Sequence, residues 1–144
     1  MKPEDVHGTW ALVSNTVETM EGQTINPLGP NPKGYLMLTP DGRFTAILTA
    51  ADRKAGDTTE AAAALQRSMT AYTGRYTTEP NPKDPDGLTV RNKVDIAWNE
   101  SWVGSEQIRH LSLKGDVLTI TAHPEIAPQG GKIKQATIIW KRSR

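Results

Sequence analysis

The chain has 144 residues, 17 basic against 16 acidic, for a formal net charge of +1. That balance gives no surface-wide attraction for a polyanion, so nucleic acid is not an expected partner. Cysteine is absent, which excludes disulfides, thiolate metal sites and a thiol nucleophile.

Residues 8–18 (GTWALVSNTVE) read as a half-buried strand rich in β-branched side chains. Residues 26–33 (NPLGPNPK) hold three prolines and a glycine, so a loop is expected there. A strand at 34–39 and another at 44–50 flank Pro40-Asp41-Gly42-Arg43, a strong tight-turn signal. The pattern changes at Asp57-Thr58-Thr59-Glu60, which has capping-box spacing before an alanine run. A helix is predicted from Thr58 to about Ala71, with Leu65, Met69 and Tyr72 on its packing side. Strands resume at 72–79 and 88–98, separated by the proline-rich stretch 81–87. In the latter strand Val90, Asn92, Val94, Ile96 and Trp98 share one face by alternation. Strands at 105–113 and 117–122 meet at Lys114-Gly115-Asp116; residues 124–131 form a loop, and 133–141 close the chain.

Eight strands joined mostly by short turns would leave two exposed edges if the sheet stayed open, a liability that closure removes. The expected fold is therefore all-β: an antiparallel up-and-down barrel of eight strands or slightly more. One helix is inserted between the third and fourth strands, and one domain covers residues 1–144. The start, Met1-Lys2-Pro3-Glu4-Asp5, is not an apolar leader, and no apolar run approaches the ~18 residues that cross a bilayer. A cytoplasmic protein with no membrane partner, monomeric or homodimeric, is expected.

Three stretches carry a family resemblance. Gly8-Thr9-Trp10 opens the first strand as in lipocalins and fatty-acid-binding proteins. Gly29-Pro30-Asn31-Pro32-Lys33-Gly34-Tyr35 with Thr39-Pro40-Asp41-Gly42, and Asn99-Glu100-Ser101-Trp102-Val103-Gly104 with Gln107-Ile108-Arg109, are more specific. Together they resemble the bacterial and fungal lipocalin-like domain family of small stand-alone proteins, from about Val6 to Arg142. The resemblance implies a barrel with Trp10 at its closed end and Lys141 or Arg142 packed on that ring. The family is poorly characterised, and some members lie among biosynthetic genes. The chain departs from the family pattern at Asn92 and Lys93, where histidines are frequent; any chemistry those histidines perform in relatives would be lost here.

Arg109 is the first candidate for ligand contact. It alternates with Gln107, Leu111 and Leu113, which would point it inward, and a buried guanidinium needs an anion or several acceptors. A ligand carboxylate suits its planar fork; pairing with Asp95, Glu106 or backbone carbonyls is the structural alternative. Asn92 interrupts an apolar face, and a buried amide must be satisfied by a ligand, a water or a neighbour. Gln107, Tyr35, Phe44, Tyr72 and Trp98 complete the candidate ligand-binding set, with Tyr76 and Trp102 also offering an apolar body and a polar tip. His7, His110 and His123 are scattered without metal-ligand spacing, and His110 falls on the face assigned to the outside. No metal and no cofactor are expected. Asp52-Arg53, between the third strand and the helix, is either a gate at the barrel mouth or a solvated pair.

These features point to a carrier or sensor that binds a small, partly apolar molecule, with or without an acidic group, inside the barrel, the helix serving as a lid. The alternative is a cofactor-independent isomerase or cyclase acting on a small natural-product-like substrate in the same cavity.

Overall fold

The computed structural model describes residues 1–122, 125–126 and 132–143. Ten strands are present among the described residues: β1 (Gly8–Thr19), β2 (Thr24–Ile25), β3 (Lys33–Leu38), β4 (Arg43–Thr49), β5 (Met69–Asn81), β6 (Asp84–Ala97), β7 (Glu106–Lys114), β8 (Val117–Ala122), β9 (Glu125–Ile126) and β10 (Lys132–Arg142). Every pairing is antiparallel. The eight long strands run in sheet order β1-β3-β4-β5-β6-β7-β8-β10, and β10 returns to β1 to close the barrel. The one α-helix, α1 (Thr59–Arg67), joins β4 to β5. It falls between the fourth and fifth strands rather than the third and fourth, because the two-residue β2 precedes it.

The turn chemistry explains much of this order. Thr39 and Arg43 close a hairpin around Pro40-Asp41-Gly42, with Gly42 at φ 90°, a conformation that favours glycine. Asn81 Oδ1 accepts from the Lys83 amide at 3.0 Å. This side-chain turn tightens the β5–β6 connection and carries both strands further than the prolines suggest. The loop expected at 124–131 lies, apart from Glu125–Ile126, outside the described residues, as does His123.

Helix α1 is shorter than predicted. The Thr58 hydroxyl caps it by accepting from the Ala61 amide at 3.1 Å. From Met69 onward the chain pairs with β4, Met69 opposite Thr49 and Tyr72 opposite Ala46. Three threonines in 70–77 (Thr70, Thr73 and Thr77) favour the sheet over the helix. Leu65 therefore shares no helical stripe with Met69 and Tyr72.

Two β-bulges turn the alternation over. In β6 the register passes from Ile96 opposite Thr73 to Val94 opposite Gly74, so Asp95 is the extra residue. Ile96 consequently faces solvent at 67% exposure while Ala97 packs against the core. Gly74 admits this crowding: a Cβ there would stand 1.9 Å from the Lys93 carbonyl oxygen. A second register shift, between Leu12 and Ser14 in β1, leaves Val13 outside and reverses the parity after it, bringing Asn15 opposite Ile138 and inward with Val17.

The core fills one end. Trp10, Trp140, Leu118 and Val6 are among its most completely buried side chains, with Leu88 and Leu111 beside them. Trp10 Nε1 donates to the Val6 carbonyl at 2.9 Å. Of the two basic residues considered for its ring, Arg142 takes the place, its guanidinium carbon 4.2 Å from the ring centroid. Arg142 also donates to the His7 and Asp5 carbonyls at 3.0 and 2.7 Å.

Candidate ligand-binding site

The opposite end is hollow. A cavity of about 670 Å³ opens among the C-terminal ends of β1, β4 and β8, the N-terminal ends of β5, β7 and β10, and the β6–β7 connection at Asn99–Trp102. Its size is that of small-molecule sites in general. Its walls differ in character. Val17, Ile120, Ala136 and Ile138, from β1, β8 and β10, make an apolar side. Gln107 and Arg109, two residues apart on β7, make a polar side. Leu28, Leu48, Tyr72 and Trp102 also belong to the lining.

The seven residues proposed from sequence separate. Arg109, Gln107 and Tyr72 line the cavity. Asn92 is its neighbour: 9% exposed, it pairs across the β6–β7 ladder with Gln107, which is equally buried. Phe44 is buried in the core with its ring 5.6 Å from that of Tyr72, not in the cavity wall. Trp98 is displaced from the wall by the bulge at Asp95, and Trp102 stands there instead, 4.7 Å away and edge-on. Tyr35 is on the outside at 53% exposure. Its strand is apolar on both faces, and Leu36 and Leu38 are the residues turned inward.

The two carboxylates considered as partners of Arg109 are engaged by other arginines. Asp95 binds Arg43 through two contacts of 3.0 and 3.3 Å, and Glu106 accepts from Arg91 at 3.1 Å. The hydrogen bond with Arg43 holds the Asp95 carboxyl below its usual range. Arg109 is half-buried, and its Nη1 donates to the Ile108 carbonyl at 3.1 Å. His110, assigned to the outside, is half-buried with Nδ1 3.2 Å from the Thr89 hydroxyl. Arg53 donates to Ser68 Oγ and to the Leu65 carbonyl at 3.1 and 3.0 Å, tying the segment after β4 to the C-terminal end of α1. Its side chain is thus engaged with the helix rather than with Asp52.

Sequence reasoning missed Leu28 and Asn15, and named Trp102 only beside the candidate set, as an apolar body with a polar tip. Leu28 had a signal: it is the sole large apolar residue in the proline-rich loop 26–32, and it is buried there at 4% exposure. It also borders a second hollow of about 410 Å³ beneath α1. Asn15 had none, because only the bulge at Val13 turns it inward.

An antiparallel ring of eight strands, closed over tryptophan at one end and hollow at the other, defines a lipocalin-type barrel. The chain belongs to the lipocalin-like domain family, whose model matches residues 7–143. The resemblance seen in the sequence motifs is thereby borne out. Over 88 residues, 59% of this chain and 77% of the relative, it is 30% identical to the 4'-hydroxy-3'-methoxypropiophenone carrier protein of Aspergillus oryzae. Among solved structures, a redesigned β barrel aligns over 96% of this chain and 92% of its own at 15% identity and a TM-score of 0.46. The wild-type fluorescent protein UnaG aligns over 99% and 100% at 14% identity and a TM-score of 0.41. No helix among the described residues is long and apolar enough to cross a membrane.

Proposed function

We propose that the protein is a carrier that holds one small, partly apolar molecule inside the barrel. The observation that carries this reading is the two-sided cavity: an apolar wall from β1, β8 and β10 facing Gln107 and Arg109 on β7. Such a site desolvates an apolar body and orients it by a few polar contacts. The Aspergillus oryzae relative is named for carrying an aryl ketone with phenolic, methoxy and keto oxygens, a molecule of matching polarity. In this chain Arg109 would take a keto or carboxylate oxygen, since its N–H groups donate only. The carrier reading is preferred to an isomerase or cyclase because the one carboxylate bordering the cavity among the described residues, Glu106, is exposed and held by Arg91, leaving it poorly placed as a general acid or base.

Titration of the protein with 4'-hydroxy-3'-methoxypropiophenone, followed by tryptophan fluorescence, tests the reading. Saturable one-to-one quenching through Trp102 is expected. Arg109→Met should preserve the fold and weaken binding of an acidic analogue by about 1.5–3 kcal/mol, the range for charged hydrogen bonds. Absence of saturable binding, both for this ketone and for the apolar dye 1-anilinonaphthalene-8-sulfonate, would overturn it.

A further inference from the structure

Asn92 and Gln107 stand opposite one another on β6 and β7, both facing inward and both nine-tenths buried. Cross-strand partners place their Cβ atoms about 4.5–5.5 Å apart. Asn92 Oδ1 and Gln107 Oε1 are buried without a hydrogen-bond partner, and among the described residues Trp140 Nε1 is the other such side-chain atom. Trp140 belongs to the closed end, away from the cavity lining. The two side chains belong to the polar side: Gln107 lines the cavity, and Asn92 adjoins it. Their oxygens carry almost no accessible surface, so each meets a ligand once its amide turns about its last side-chain bond. Buried acceptors left unpaired are costly, and native proteins keep few of them.

We infer that this carboxamide pair is a seat for a hydroxyl group, so that the ligands preferred are small neutral hydroxylated arenes. The inference rests on the carrier reading of the cavity. A hydroxyl donates to one amide oxygen and can accept from an amide N–H or from the guanidinium of Arg109, two residues along β7. An ether or hydrocarbon end brings no donor and leaves both oxygens unpaired. A carboxylate accepts but does not donate, so it suits Arg109 and not the amide oxygens. The arene follows from the aromatic part of the lining, where the rings of Tyr72 and Trp102 meet edge-on with centroids 5.0 Å apart. Aromatic faces and edges at that separation accept a further ring in offset or edge contact.

The test compares 4-propylphenol with its methyl ether, 4-propylanisole, by calorimetric titration of the full chain. 1-Anilinonaphthalene-8-sulfonate serves as a general probe of the cavity. The phenol should bind about ten- to a hundredfold more tightly than the ether, the ratio expected when a buried acceptor gains or loses its partner. In Gln107→Leu and Asn92→Leu, checked for folding by circular dichroism, that preference should collapse toward parity through gain of ether binding. Equal affinities in the wild-type protein would overturn the hydroxyl seat while leaving the carrier reading intact. So would binding of the dye with neither arene. A preference that survives in both leucine variants would overturn the assignment to these residues. Failure of all three probes to bind would overturn the carrier reading and the seat together. If either variant does not fold, the wild-type ratio and the other variant decide.

Discussion

Trp10 joins three parts of the closed end, and its removal should be felt in each. The side chain is fully buried, its N–H bonds the Val6 carbonyl, and its ring lies under the Arg142 guanidinium. Trp10→Ala removes the ring, orphans the Val6 oxygen and strips Arg142 of its platform; for buried aromatics the total is about 3–5 kcal/mol. At roughly 4 °C per kcal/mol for a domain of this size, the melting temperature should fall by about 12–20 °C. Trp10→Phe keeps a ring beneath Arg142 and isolates the lost N–H, whose orphaned carbonyl costs roughly 1–3 kcal/mol. Trp140 supplies the internal control. It is just as deeply placed, but its Nε1 has no partner, so Trp140→Phe should cost less than Trp10→Phe. Urea melts followed by circular dichroism measure all three variants. A loss below about 1 kcal/mol for Trp10→Ala, or a larger loss for Trp140→Phe than for Trp10→Phe, would refute the reasoning.

Gly74→Ala should destabilise severely or prevent folding, because its Cβ would stand 1.9 Å from a backbone oxygen of β6; a variant that melts like the wild type would show that the strand can give way. Helix α1 has no buried residue, so its amides should exchange faster than those of the strands in native-state hydrogen exchange, and equal protection would show that it is docked. Asp95 is held below its usual range first by its hydrogen bond to Arg43. Its stabilising contribution is therefore present above the unfolded carboxyl value near 4 and is lost as pH falls through that value toward the lower folded one. The stability gap between wild type and Asp95→Asn should close in that acid window; a gap independent of pH would refute the pairing.

The barrel was legible because short turns and alternation are local signals. Pro40-Asp41-Gly42 and Gly115-Asp116 mark their hairpins with glycines that adopt positive φ. The site was legible only as far as the alternation held. Arg109 and Gln107 lie on a strand without a bulge and fall where parity puts them, lining the cavity. Trp98 lies one bulge too far along β6, and the single inserted residue exchanges inside for outside. Tyr35 fails for a different reason: Tyr35-Leu36-Met37-Leu38 is apolar at every position, so period two carries no information about which face is buried. The helix was overextended because the Ala run continues into residues that have no helix-breaking glycine or proline before β5. Only pairing with β4, a long-range contact, ends it.

The central claim is that a small molecule binds within the barrel between β7 and the β8–β10 wall. The most direct measurement is amide chemical-shift mapping on saturation with 4'-hydroxy-3'-methoxypropiophenone. The outer face offers a fair competitor, since Tyr35, Met37, Ile47 and Ile96 are apolar and exposed there. Expected are the largest shifts at Gln107, Arg109, Ile120 and Ile138, with the outer residues unmoved. Shifts centred on Tyr35, Ile47 and Ile96, with Ile120 and Ile138 unchanged, would contradict the claim.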